Sequence, residues 1–214
     1  VFSRSISRAA TNGGTSWEQV GRNLTGLPAG RWISSVEASR HDPAAATITV
    51  DRHTFGDMSA HAFRTKDFGK TWTRVAGAEQ GIRGYAHVLR EDPDTRGLLF
   101  LGTELGLYLS LDGGGHWAAF KGGDFPAVAV RDLALQQREG DLVIATHGRG
   151  IWIVDDIAPL RALVGGALLA RDAAFLPSRP SQQRLSGIGA WGMGANEFTG
   201  QAVPGGAVIS YYQK

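Results

Sequence analysis

Short apolar stretches recur along this chain, each about a strand long and each closed by Gly, Asp or Pro. One group predicts strands near 32–39, 46–51, 60–65 and 71–75, and the next predicts 85–90, 98–103, 106–111 and 116–120. A third runs through 130–135, 141–146 and 150–154 and lacks a fourth member. Short strands at even spacing, separated by turn residues, predict a turn-rich β protein.

The turns repeat as well. Thr65-Lys66-Asp67-Phe68-Gly69-Lys70-Thr71-Trp72 and Ser110-Leu111-Asp112-Gly113-Gly114-Gly115-His116-Trp117 share hydroxyl, x, Asp, x, Gly, x, x, Trp. A weaker copy around Asn12, Gly14 and Trp17 has Ala10 in place of the hydroxyl and Asn12 in place of Asp. Trp17, Trp72 and Trp117 stand 55 and 45 residues apart, the period of propeller blades. The Asp or Asn oxygen can accept backbone N–H bonds just downstream. Gly69 and Gly114 can take positive φ. The Trp then opens the next strand and is expected to pack over the turn. Local side-chain-to-backbone bonding accounts for these Asp residues without catalysis.

A second repeat supports the first. Arg40-His41-Asp42-Pro43 and Arg90-Glu91-Asp92-Pro93 each follow a blade's first strand, where Asp and Pro suit a turn. The expected architecture is an all-β propeller fragment of about three and a half four-stranded blades, near 1–21, 30–76, 84–121 and 128–157. Residues 1–21 are expected to supply only the last two strands of an earlier blade. In the last blade Asp156 stands where the turn Asp belongs, but Ile157-Ala158-Pro159 replaces the Gly and Trp. A short helix near 157–163, capped by Asp155-Asp156, is expected to open a 158–205 segment that ends in a Gly/Pro-rich linker. A terminal strand then lies in 206–214. Two readings of the count stand side by side. The chain is the C-terminal part of a larger propeller, or the 206–212 strand returns to complete the first blade.

The eight-residue turn resembles the Asp-box, or bacterial neuraminidase (BNR) repeat, of sialidases, sortilin-type receptors and xyloglucanase-type hydrolases. Longer phrases are similar to one group of bacterial sortilin-like Asp-box propeller proteins labelled as glycosyl hydrolases. They are Ser35-Val36-Glu37-Ala38-Ser39-Arg40-His41-Asp42-Pro43, Thr49-Val50-Asp51-Arg52-His53, Gly102-Thr103-Glu104 and Ala145-Thr146-His147-Gly148-Arg149. The resemblance implies a secreted or periplasmic bacterial protein much longer than this chain. It transfers no catalytic residue, because its members include enzymes and receptors alike.

Composition narrows the partners. The formal charge is +2 with no basic stripe, so nucleic acid is not indicated. There is no cysteine, which excludes disulfides and thiolate metal sites. The apolar run from Leu160 to Leu176 is interrupted by Arg161, Arg171 and Asp172 and is too short to be a transmembrane segment. The chain starts inside a blade, with no signal peptide in view. Asn23-Leu24-Thr25 matches the common glycosylation sequon.

Candidate chemistry comes from topology. Loops between a blade's second and third strands share one end with the interblade loops. These loops carry Asp51, Arg52, His53 and Asp57 in one blade, Glu104 in the next, and His147 with Arg149 in the third. Arg31, Arg83 and Arg131 join them from the interblade loops. Such a rim suits a glycan, a peptide or a partner protein, with Arg forks for anions and carboxylates for hydroxyls. The rest of its own propeller is a further expected partner. Solvated loop charges and blade-bracing pairs are the plain alternative. A glycoside hydrolase would need two carboxylates about 5–10 Å apart, and Asp51 with Glu104 is the pair the chain offers. Sialidase chemistry would need an Arg triad and a Tyr beside a Glu, a set these loops do not display. His53 and His147 lack metal-ligand spacing, so no metal or cofactor is indicated. His41, His61, His87 and His116 read as strand or turn residues.

Overall fold

The computed structural model describes residues 2–3, 8–28, 32–181 and 206–214, and its elements are nearly all β. Arg31 and the linker residues 182–205 lie outside the described residues. The first sheet joins β1 (Phe2–Ser3), β2 (Arg8–Ala9) and β3 (Glu18–Gln19) in that order, three short strands where two were expected. The second is β4 (Trp32–Ala38), β5 (Ala46–Asp51), β6 (His61–Thr65) and β7 (Thr73–Gly77). The third is β8 (Ala86–Glu91), β9 (Leu99–Thr103), β10 (Gly106–Ser110) and β11 (Ala118–Ala119). The fourth stops at three strands, β12 (Val130–Gln136), β13 (Asp141–Thr146) and β14 (Ile151–Val154). All are antiparallel meanders, the form of propeller blades.

Helix α1 (Ala158–Leu163) follows, then β15 (Ala173–Leu176), which pairs antiparallel with β16 (Ser210–Gln213). The terminal strand therefore completes a hairpin-like pair and does not return to the first blade. Strand β15 lies inside the stretch read as helix and linker. The N-cap of α1 is Ile157, with no side-chain cap bond, so neither Asp155 nor Asp156 caps the helix. Asp156 instead accepts from Ala158 N at 3.1 Å in a turn just before it, and Asp155 contacts Arg179 at 3.9 Å.

The hydrophobic cores lie between successive sheets. Val75, Ile82, Leu89, Leu99 and Tyr108 pack between the second and third sheets. Val88, Phe100, Leu133, Leu142 and Ile144 pack between the third and fourth, closed by Ile157 at the start of α1. Strands buried on both faces explain why β9 reads Leu-Phe-Leu-Gly-Thr with every residue buried.

The repeated turn closes as its residue types dictate, and it does more than close. Asp67 Oδ1 accepts from Thr71 N at 2.9 Å, and Gly69 N donates to Thr65 Oγ1 at 2.8 Å. Asp112 Oδ1 accepts from His116 N at 2.9 Å, and Gly114 N donates to Ser110 Oγ at 2.9 Å. Asn12 keeps the central bond, Ser16 N to Oδ1 at 3.1 Å. The second role is attachment. The Trp72 indole N–H donates to Val20 O at 3.4 Å, and that of Trp117 to Val75 O at 2.8 Å, each reaching the preceding sheet's last strand or its extension. A Cβ on Gly69 would lie 2.7 Å from Val20 Cβ, and one on Gly114 2.9 Å from Val75 O. The turn glycine is thus demanded by contact with the preceding blade as well as by its positive φ.

Buried ions add a second set of ties. Asp92, in the second Arg-x-Asp-Pro turn, is wholly buried. Its Oδ1 accepts from Asp94 N and Thr95 N at 2.8 and 2.6 Å, and its Oδ2 accepts from Arg161 Nε and Nη2 at 3.0 and 2.9 Å. Asp42 occupies the same place one blade earlier and faces Arg96 of the next blade at 3.6 Å. Arg90 spans three blades: Nη1 donates to Ser35 Oγ at 3.1 Å, while Nε and Nη2 donate to Leu133 O and Asp132 Oδ1 at 3.0 and 2.9 Å. The sequon residue Asn23 is also occupied, its amide donating to Gly69 O at 2.9 Å.

Gly114→Ala combines a strained φ with overlap on Val75, so it is expected to lower urea-unfolding stability by about 2 kcal/mol or more. Gly56→Ala, at φ 77° with open space around it, should cost only the backbone strain, about 1 kcal/mol. Arg161→Met strands the Asp92 carboxylate and is expected to cost about 3 kcal/mol in the same measurement.

Candidate functional site

One irregularity recurs in the first strands of the second, third and fourth sheets. The pairing of β4 with β5 skips Ser34, that of β8 with β9 skips His87, and that of β12 with β13 skips Arg131. Bulges re-aim the extra side chain, and here they occur at equivalent places in three consecutive blades. All three lie toward the end where Thr103 Oγ1 donates to Arg83 O at 2.9 Å and His147 N to Ala129 O at 2.9 Å. Interblade loops and second-to-third-strand loops therefore do share one rim.

At that rim a single network crosses three blades. Asp51 Oδ1 accepts from His53 N at 2.9 Å and contacts His53 Nδ1 at 2.7 Å. The His53 ring stacks on Tyr85 of the next blade at 4.6 Å, and Tyr85 meets His87 edge-on at 4.9 Å. His87 Nε2 is 2.8 Å from Glu104 Oε2, and Arg131 of the third blade contacts Glu104 at 3.6 Å and His87 Nδ1 at 3.4 Å. The Glu104 backbone N–H also donates to Tyr85 O at 3.0 Å. Burial would raise the Glu104 carboxyl, but His87, Tyr85 and the Arg131 charge together hold it below the usual carboxylate range. Burial is the largest influence on both partners: it lowers the His87 imidazole and, with help from Glu104, raises the Tyr85 phenol. A neutral His87 donating from Nε2 and accepting Arg131 at Nδ1 satisfies all of these contacts.

The nominated residues divide by environment. Asp51, His53, Glu104 and Arg131 belong to the network. Arg52 is only 7% exposed. It donates to Pro28 O at 3.1 Å, faces Asp57 at 3.5 Å and lies over the Phe55 ring, so it braces its own loop. Arg83, His147 and Arg149 are exposed, and among the described residues their side chains have no hydrogen bond or ion pair. Tyr85 and His87 were missed as site members. Both sit in an apolar-looking strand, and only the His87 bulge turns that strand's ring toward the rim.

Exposed large apolar side chains also occur at this end of the blades. Trp32 is 71% and Phe55 62% exposed, and Met58, Leu105 and Ile151 are exposed as well, on the same end's strand starts and loops. Among the described residues no three His, Cys, Asp or Glu side chains come together as metal ligands, and no helix is long and apolar enough to cross a membrane.

No protein-family model matches the chain, and no curated protein matches it. Solved structures do. YCF48 bound to D1 peptide superposes with a TM-score of 0.50 at 17% identity, over 72% of this chain and 46% of its own. An ancestral GH74 enzyme gives 0.50 at 18% identity, over 68% of this chain and 20% of its own. A GH74 xyloglucanase from Xanthomonas campestris gives 0.45 at 17% identity over 67% of this chain. These neighbours are β-propeller proteins, and the chain is an all-β propeller fragment, spanning a fifth to under half of their lengths.

Among the described residues, the one strongly raised carboxyl lies away from the rim. Burial lifts Glu37 to about 7 against the pull of Arg90. Glu37 stands five residues along β4 from Trp32, roughly 16 Å at strand rise. A carboxyl raised by folding contributes stability below its unfolded value of 4.5, and this is lost as pH climbs through about 7. Glu37→Gln is therefore expected to raise Tm relative to the parent at pH 8 and to change it little at pH 5. Thermal melts at the two pH values check the sign.

Proposed function

We infer that this propeller is a recognition module whose rim binds a peptide segment carrying apolar and acidic side chains. The observation that carries the reading is the apolar collar of Trp32, Phe55, Met58, Leu105 and Ile151 beside the unpaired cations Arg83 and Arg149. Exposed aromatics with free arginines make productive anchors for such a segment. The rim carboxylates Asp51, Asp57 and Glu104 already accept bonds from His53, Ser59, His61 and His87. They are therefore poorly placed to gather sugar hydroxyls, which favours peptide over glycan.

Hydrolysis of a glycoside receives less support. A retaining or inverting pair needs one carboxyl held protonated. Hydrogen bonds and charge keep Glu104, one of the Asp51–Glu104 pair, below the usual range, so it is ionised at neutral pH. Tyr85 does stand beside Glu104, but burial and that carboxylate push its phenol up, away from an activated nucleophile. The peptide bound by YCF48 and the xyloglucanase activity of a GH74 neighbour belong to those proteins, and their likeness to this chain supports the scaffold alone.

The test is a fluorescence-anisotropy screen of labelled peptides graded in charge and hydrophobicity, run beside a glycan array and chromogenic glycosides. Acidic–apolar peptides are expected to bind, with Phe55→Ser and Leu105→Ser each weakening them about tenfold, the loss of one good anchor, and Leu105→Ser doing so at unchanged Tm. Glycan binding without peptide binding would overturn the reading. So would glycoside turnover that disappears in Glu104→Gln.

A further inference from the structure

A pocket opens at the opposite end of the blades, where the eight-residue turns lie. It occupies about 400 Å³ between the second and third sheets. Three cations line it: Arg64 near the end of β6, Lys66 in the turn that follows, and Arg96 in the β8–β9 turn. Arg64 Nη1 donates to Gly113 O at 3.1 Å, but its Nη2 is buried and has no acceptor among the described residues. Lys66 is exposed and has no ion pair among them. A buried guanidinium N–H without a partner is costly, and a ligand oxygen is the natural remedy.

The acidic lining does not supply that oxygen. Glu91 accepts from Ser39 Oγ at 2.8 Å and Gly97 N at 3.2 Å. Asp112 is held by Ser110 Oγ at 2.8 Å and His116 N at 2.9 Å. Arg96 is already paired with Asp42 at 3.6 Å, which leaves the Arg64 Nη2 donor and the Lys66 ammonium as the cationic groups open to a ligand oxygen. The rest of the lining includes Leu111 and Val164, an apolar floor beside the guanidinium.

We propose that this pocket is a carboxylate-binding site that takes the free C-terminus of a peptide ending in a small aliphatic residue. The carboxylate meets Arg64 Nη2 and Lys66, and the terminal side chain lies on Leu111 and Val164. Arg and Lys donors of this kind form the shorter, stronger class of charge-assisted bonds. A sugar acid offers the same carboxylate but would leave Leu111 and Val164 facing hydroxyls. The site is separate from the rim and does not depend on its function.

The experiment is an anisotropy titration of the whole chain with an N-terminally fluorescein-labelled Gly-Ala-Val peptide, as free acid and as C-terminal amide. The acid is expected to bind, and amidation to weaken it about tenfold or more, the loss of one charge-assisted pair. Arg64→Gln should weaken the acid to the same extent. Lys66→Ala, at an exposed residue with no partner to strand, should weaken it several-fold without changing Tm and keeps the test valid if Arg64→Gln fails to fold. Phe55→Ser, in the rim collar, should leave this binding unchanged. Equal binding of acid and amide, no binding of the acid, or indifference to Lys66→Ala would each overturn the proposal. Displacement of the peptide by glucuronate or inorganic phosphate at matched concentration would overturn the peptide assignment.

Discussion

The blades of this chain hang on one contact: an indole N–H reaching across to a carbonyl near the end of the preceding blade. Trp117 makes it to Val75 and Trp72 to Val20. The neighbouring turn glycine touches that same valine, so the donor and the gap it bridges are set by one residue pair. The Asp and hydroxyl side chains hold the glycine in its left-handed conformation, and the glycine admits the close approach that lets the indole reach. Removing any one of these parts loosens the other two. The turn is therefore an assembly device that also reverses the chain.

With the blades registered this way, the two ends acquire different characters. At the turn end, short side-chain-to-backbone bonds satisfy most acidic groups locally. At the rim, the bulges at Ser34, His87 and Arg131 tip side chains of consecutive inner strands toward neighbouring blades. Thr49 and Ser34 complete the seam, with Thr49 Oγ1 donating to His87 O at 3.1 Å and Ser34 Oγ to Ala86 O at 3.1 Å. A rigid seam under exposed apolar loops is a preorganised surface, on which little order remains to be gained by a ligand.

Much of the fold was legible because its determinants are local. The Asp67 and Asp112 turns and the missing fourth strand of the last blade follow from residue types within about ten positions, whereas the outer strands expected at 71–75 and 116–120 lie at Thr73–Gly77 and Ala118–Ala119. The β15–β16 pair escaped because its strands are 34 positions apart at their nearest, with a polar stretch between, and no local pattern links Ala173 to Gln213. The rim was half legible. Loop placement brought forward Asp51, His53, Glu104 and Arg131, but it could not show that Arg52 turns inward or that Tyr85 and His87 join the network. Those outcomes depend on one skipped pairing in β8 and on a ring stacked across a blade boundary. The exposed apolar residues were also missed, since the strands that open at Trp32 and Ile151 carry no local sign of which side chains the assembled sheets leave uncovered.

Arg90 has a wider consequence. Repeat proteins are commonly treated as stacks in which each unit senses only its immediate neighbours. Arg90 binds Ser35 of the blade before it and both Asp132 and Leu133 of the blade after it. Its side chain thereby carries a term linking blades that share no strand pairing. Loss of either outer blade withdraws support from the contact to the other. These three blades should therefore melt as one cooperative unit, with no populated state in which an end blade has peeled away alone.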